Sequence, residues 1–306
     1  MNRTITYNIG QLPAPMRVST FLKQQGFSTQ TLTELKKNPE TVWLDGQAVY
    51  MNQCVHADQT LTVHILETGT DAITIPVELP VEVMYEDEDI VVVNKPAGMP
   101  THISVHNYDN TLANALAWRY READSPFVFR CTNRLDRDTS GLTVVAKNRL
   151  SAAILGQMVS AKALGGLEAK GIHREYLGIV KGSLDIKDGV IDAPLSRKPG
   201  SILERQVDWK YGDRAVTHYH VVAEQNGYSL LDLQLETGRT HQIRVHLKYI
   251  GYPLIGDYLY NPDMERIGRQ ALHAWRLAFQ HPLRKIPLEF EAPLPEDMKA
   301  VLNMCE

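Results

Sequence analysis

Asn133-Arg134-Leu135-Asp136-Arg137-Asp138-Thr139-Ser140-Gly141 is the stretch best suited to chemistry. Arg134 and Arg137 flank Asp136, and neighbouring cations favour the charged form of a carboxylate. Leu142, Val144, Val145 and Ala146 follow at once. The pattern predicts a loop feeding a buried strand, with Gly141 supplying backbone freedom at the turn. A charged carboxylate on such a loop can serve as nucleophile, base or metal ligand. A purely structural salt bridge is the competing reading. A second polar cluster, Glu236-Thr237-Gly238-Arg239-Thr240-His241-Gln242-Ile243-Arg244, leads into Val245, His246 and Leu247. Thr-Gly breaks a strand there, and a helix is expected from Thr240. It would concentrate charge at one helix start, or simply be a capped helix with surface arginines.

Other elements must hold these two clusters. Ile90-Val91-Val92-Val93 reads as a buried strand ending at Asn94-Lys95-Pro96-Ala97-Gly98, a turn. Thr111 to Trp118 and Ser151 to Ala163 have helical spacing. His173 to Gly182 is a strand carrying Tyr176 near its start. Ala215–Val222 and Tyr228–Leu235 read as strands paired across Asn226-Gly227. His218 and His220 share one face of the first, as a zinc pair can, yet no third ligand has suitable spacing. Leu164 to Gly171 is Gly-rich without nucleotide-binding spacing and is expected to be a flexible insertion.

Residues 1–75 form a smaller unit. A helix begins near Met16 and stops at Gly26; a second is capped by Ser28 or Thr29 and carries Leu32 and Leu35. Val42 to Val49 is a hairpin on Asp45-Gly46, and Leu61 to Ile65 alternates as a strand. Pro76 and Pro80 mark a linker.

At 306 residues the chain accommodates one large domain and a small one, and 43% hydrophobic with 22% charged residues predicts a packed globular core. No apolar run has membrane-spanning length, and Met1 to Ile5 has no hydrophobic signal core. Cys54, Cys131 and Cys305 lie far apart, against a disulfide framework or cysteine-based zinc site and in favour of a reducing cytoplasm. The net charge of −4 does not advertise a nucleic-acid partner. Its distribution is more informative. Residues 78–89 hold six acids and no Lys or Arg, while Arg130, Arg134, Arg137, Lys147 and Arg149 gather around the Asp136 stretch. Further basic groups lie at 197–214 and 239–248. A basic working face on a near-neutral protein fits a transient nucleic-acid partner, although charge alone favours an ordinary solvated surface.

Several segments together resemble the RluA-type pseudouridine synthases. Arg134-Leu135-Asp136 and Thr139-Ser140-Gly141 match their catalytic motif, with Asn133 where the family has His. Asn-Lys-Pro-x-Gly around Lys95, a basic residue two before Tyr176, and Thr-Gly-Arg-x-His-Gln-Ile-Arg at 237–244 match others. Gly251 to Tyr260, Ala271 to Trp275, and Phe279 to Pro282 continue the match. The resemblance implies an α+β catalytic domain over 76–306 with an extended, mostly antiparallel sheet and a central cleft. The order of elements in 1–75 is similar to an S-four-like RNA-binding module, here of nearly balanced charge.

The implied activity is isomerisation of specific uridines to pseudouridine in structured RNA, most often large-subunit ribosomal RNA, with transfer RNA the main rival. Asp136 would be the nucleophile, Arg244 its charged partner, and Tyr176 the residue that stacks on the displaced base and relays its proton. Arg134 would enter the space left by a flipped nucleotide. Substrate contacts are expected from Arg137, Thr139 and Lys95, and from Arg239, His241 and Gln242. No metal or cofactor is implied, no membrane partner is expected, and a monomer suffices. The competing classes are a metal-dependent nuclease using Asp136 and Asp138, a nucleotide hydrolase, disfavoured for want of a phosphate-cradling Gly-Lys loop, and a non-catalytic RNA-binding protein on the same fold.

Overall fold

The computed structural model describes residues 1–67, 74–166 and 171–302. Of the Gly-rich insertion expected at 164–171, residues 167–170 lie outside that set.

The large sheet follows from strands buried on both faces. Every residue of the Ser140–Ala146 strand is buried. Leu142, Val144 and Ala146 face Leu155, Ile172 and Phe279. Val145 joins Val91, Val93, Leu112 and Leu116 on the other side. An unbroken apolar run is what such a strand requires. The strand pairs antiparallel with Ile90–Lys95 and parallel with Leu272–Gln280. The main path runs Asp188–Asp192, Val216–Gln225, Tyr228–Leu235, His173–Lys181, Leu272–Gln280, Ser140–Ala146, Ile90–Lys95, Glu82–Glu86; Arg130–Cys131 and Pro287–Glu291 attach beside it, making ten strands. All the other pairings in this sheet are antiparallel. The Val216–Gln225 and Tyr228–Leu235 pair turns on Asn226 and Gly227, both at positive φ, as the dipeptide predicts.

One row of the sheet links the strand after the Asp136 loop to Tyr176. Gly141 is opposite Ala274, and Ala274 is opposite Tyr176, just past a register shift at Glu175/Tyr176. Strand 140–146 and Tyr176 are therefore held in register through a single alanine. Gly141 has φ 115°, and a Cβ there would stand 2.2 Å from the Ala274 carbonyl oxygen, so only glycine permits the approach.

The first residues form a separate antiparallel sheet in the order Arg3–Asn8, Thr60–Ile65, Val42–Leu44, Gln47–Ala48. Helices Val18–Gln24 and Thr29–Lys37 cover it, the second capped by the Ser28 side chain on the Thr31 amide. Its core is not self-contained. Leu22, Val55, Leu61 and Val63 pack with Leu150 and Ile154 of the Arg149–Gly165 helix, which belongs to the larger part. A buried Glu67 carboxylate receives Arg130 and Arg149, and Arg3 pairs with the buried Asp89. Val159, Ser160 and Ala163 of the same 149–165 helix line the cleft described next. None of the described helices is long and apolar enough to cross a membrane.

Candidate active site

The loop Asn133–Thr139 enters strand 140–146 under several restraints. Asn133 is buried; its amide nitrogen donates to the Leu142 carbonyl, and its oxygen accepts from the Val144 amide and the Thr143 hydroxyl. The side chain standing where the resembling family has His thus latches the loop to the strand. Thr101 exchanges hydrogen bonds with the Leu135 backbone, and Arg269 donates to the Asp138 carbonyl. The turn closes with the Thr139 amide donating to the Asp136 carbonyl.

Lys95 completes this scaffold and, unlike the other expected substrate contacts, does not border the cleft. It is wholly buried, and its ammonium donates to the carbonyls of Pro96, Met99 and Arg137 at 2.8, 2.8 and 3.1 Å. Burial lowers its pKa to about 7 while Asp138 and Asp136 pull it upward. With all three protons committed to backbone, it fixes the carbonyl next to Asp136 rather than facing the cleft.

The Asp136 carboxylate emerges from this loop 28% exposed. Arg244 Nη1 donates to its Oδ2 at 3.0 Å. The other edge of that guanidinium is bidentate on Asp257, with Nε and Nη2 each 2.7 Å from a carboxylate oxygen. Arg244 is 3% exposed and Asp257 wholly buried. Burial works against the charged guanidinium, but Asp257 and Asp136 together drive its pKa well above the ordinary value. The fork can therefore present Nη1 to Asp136 in a fixed position.

Arg244 is aimed by an unusual helix start. The Gln242–Tyr249 helix begins two residues later than expected, preceded by His241 in the left-handed region at φ 56°. The Gln242 amide accepts from the Thr237 hydroxyl and the Arg239 amide, and donates to the Val216 carbonyl and Thr217 hydroxyl. Gln242 is thus buried and fully occupied, a latch between helix and sheet, although it borders the cleft. His241 lies with Nε2 3.8 Å from Asp136 Oδ2 and Nδ1 hydrogen-bonded to the Tyr260 hydroxyl at 2.9 Å. The Arg205 amide donates to that same hydroxyl at 2.8 Å. Burial lowers the imidazole's pKa and Asp136 opposes it.

These groups surround a cleft of about 590 Å³, within the range of small-molecule sites and ample for one nucleotide. Asp136, Tyr176, Arg244, Arg134, Arg137, Thr139, Arg239, His241 and Gln242 all border it; of the site residues anticipated from the sequence, only Lys95 does not. Tyr176 is 5% exposed, and burial raises its pKa, so the phenol keeps its proton at neutral pH. Arg134 is exposed at the rim, Arg137 pairs with Asp138, and Arg239 reaches the Arg214 carbonyl and Asp213. Thr139 is buried and accepts from Gln270. His218 and His220 pair separately with Glu236 and Asp188. Among the described residues, one group could gather round a metal, Asp87, Asp89 and His281. Asp87 there already accepts from two backbone amides, Tyr85 and His281.

Sequence reasoning missed Asp257 and Tyr260. Each lies in a matching segment, but nothing local marks a carboxylate whose partner is thirteen positions earlier.

Residues 89–249 match the family model described as RNA pseudouridylate synthase. The chain belongs to the RNA pseudouridylate synthase family. It is of the RluA type and is an RNA pseudouridine synthase, an isomerase that acts on RNA. It is 36% identical over 288 residues to the uncharacterized RNA pseudouridine synthase YjbO of Bacillus subtilis (strain 168), covering 94% of this chain and 99% of that one. It is 35% identical over 292 residues to ribosomal large subunit pseudouridine synthase D of Xanthomonas campestris pv. campestris, covering 90% and 84%. The protein of that name from Zymomonas mobilis is 40% identical over 246 residues, covering 75% and 74%. Among solved structures, human RNA pseudouridylate synthase domain containing 1 aligns with a TM-score of 0.57 at 23% identity, covering 74% of this chain and 86% of that one, a likeness of fold.

Proposed function

We propose that this synthase isomerises uridine in large-subunit ribosomal RNA with Asp136 as its nucleophile. The observation that carries the reading is the meeting of Asp136, Arg244 and Tyr176 at one cleft, from loop, helix and strand. The names of the Xanthomonas and Zymomonas relatives support the choice of RNA.

In the reaction the N1–C1′ bond breaks, the uracil turns, and a C5–C1′ bond forms as the C5 proton leaves and N1 gains one. No atom is lost, so the chemistry needs a nucleophile and proton transfers, without redox change or added group. An Asp136 oxygen attacks the ribose or the base, and departs when the new bond closes. Arg244 holds the carboxylate in position through its fork, itself anchored on Asp257. Tyr176 stacks on the displaced uracil, and its protonated phenol can relay the proton. The base must leave its stack to reach a carboxylate in the cleft, and in this reading the exposed Arg134 fills the gap. The reading includes no metal or cofactor, an S-four-like role for residues 1–75, a monomeric protein and a cytoplasmic setting; the unpaired thiols of Cys54 and Cys131 support the last.

The test is pseudouridine mapping on an unmodified large-subunit ribosomal transcript, with and without the purified protein. New pseudouridine at one or a few positions is expected. Modification confined to transfer RNA in a parallel reaction would overturn the substrate assignment.

A further inference from the structure

Arg174 is the one arginine at the cleft whose burial no other side chain explains. It is 7% exposed, and its Nε is buried with no hydrogen-bond partner. Among the described residues its guanidinium makes no hydrogen bond or ion pair. The other arginines at the cleft differ: Arg244 is fully paired, Arg137 and Arg239 have carboxylate partners, and Arg134 is solvated. A buried cation without a counter-charge is costly, and such a group persists where function requires it.

The surroundings are shaped around it. Arg174 lies two residues before Tyr176 on one strand, so both side chains lie on the cleft face, about 6.6 Å apart along it. Gly238 backs the guanidinium: a Cβ there would come within 2.8 Å of Arg174 Nη1. Bare backbone at 238 leaves the fork room to lie flat at the cleft wall.

We infer that Arg174, seated against Gly238, is a binding site for a phosphodiester group of the RNA strand that carries the target uridine. The inference rests on the synthase reading and adds a contact to it. A phosphate offers the planar fork two oxygens and the missing negative charge. A uracil carbonyl would accept a hydrogen bond but leave the charge uncompensated. With the base on Tyr176, a phosphate at Arg174 fixes where the strand runs past the nucleophile.

The test measures binding of a large-subunit ribosomal transcript across a series of KCl concentrations. Single-turnover tritium release from the same transcript, labelled at uridine C5, is measured alongside. Arg174→Gln should weaken binding about tenfold or more and lower the slope of log affinity against log salt by about 0.7, one phosphate contact fewer. Arg174→Lys should restore the slope and part of the affinity. Gly238→Ala should weaken binding by pushing the guanidinium aside, and Arg174→Gln should add nothing on top of it. A folded Arg174→Gln protein with wild-type slope would overturn the inference; turnover lost at unchanged slope would assign the guanidinium to the base instead. Should Arg174→Gln fail to fold, Arg174→Lys and Gly238→Ala decide, since unchanged affinity in both would also overturn it. Absence of tritium release by the wild-type protein would count against the synthase reading on this RNA, while the salt slopes would still judge Arg174.

Discussion

Asp257→Asn tests whether the Arg244 fork is what fixes Asp136, the proposed nucleophile. Asp257 is wholly buried and takes two of the three guanidinium bonds, each 2.7 Å long, besides accepting from the Leu259 and Tyr260 amides. The amide keeps the size and one acceptor but removes the charge, so one of the two Arg244 bonds is lost and the guanidinium is left under-compensated. Removing one member of a buried pair costs about 3–5 kcal/mol. Because Asn retains an acceptor, the lower end applies, about 3 kcal/mol. At roughly 2–4 °C per kcal/mol for a large domain, melting should fall by about 6–12 °C. The freed guanidinium then has one carboxylate left, Asp136, and should clamp it in a less reactive position. Single-turnover tritium release from C5-labelled transcript should drop about tenfold or more in the protein that remains folded. A variant with unchanged melting and unchanged rate would refute the idea that Asp257 aims Arg244.

Tyr176→Phe should lose most turnover with RNA affinity within about twofold of wild type, because the ring persists and only the hydroxyl goes; a wild-type single-turnover rate would remove the proton role. Activity should survive excess chelator, and recovery dependent on added Mg²⁺ or Zn²⁺ would contradict a metal-free mechanism. His273 supplies a pH prediction. Burial lowers its imidazole to about 4, against about 6.5 when unfolded. Between these values the unfolded chain holds a proton that the folded one does not, so stability is present above pH 6.5 and is lost as pH falls toward 4. By pH 5 the loss from this one residue is about 2 kcal/mol. Urea unfolding at pH 7 and pH 5 should show that much less acid sensitivity in His273→Gln; an unaltered difference would contradict it.

How much of this was legible in the sequence depended on whether the cause was local. The strands Ile90–Lys95 and Ser140–Ala146 announced themselves as β-branched and apolar runs, and the turns at Asp45-Gly46 and Asn226-Gly227 by dipeptides that accept positive φ. Asp136 and Arg244 lie 108 positions apart, and nothing in either neighbourhood says that they touch; only the resemblance to a family joined them. Nothing local marks Lys95 as buried, because its three carbonyl partners come from turns that no local pattern reveals. The helix expected from Thr240 begins at Gln242 because His241 takes a left-handed conformation that side-chain contacts with Tyr260 accompany. Pro76 and Pro80 suggested a boundary from composition; that Leu150 and Ile154 share a core with the first 65 residues is a contact composition does not show. The isolation of Arg174 and the space above Gly238 are likewise properties of the packed molecule alone.

Asp136→Asn bears most directly on the mechanism. The amide matches the carboxylate in size and can still accept from Arg244, but it cannot supply an anionic nucleophile. Melting temperature and single-turnover pseudouridine formation, measured on one preparation, separate the two roles this residue can have. The mechanism predicts near-native melting and RNA binding with a rate reduced on the order of a thousand-fold or more. A destabilised protein that still forms pseudouridine at a large fraction of the wild-type rate in its folded portion would show that Asp136 only holds Arg244, and would contradict the nucleophile assignment.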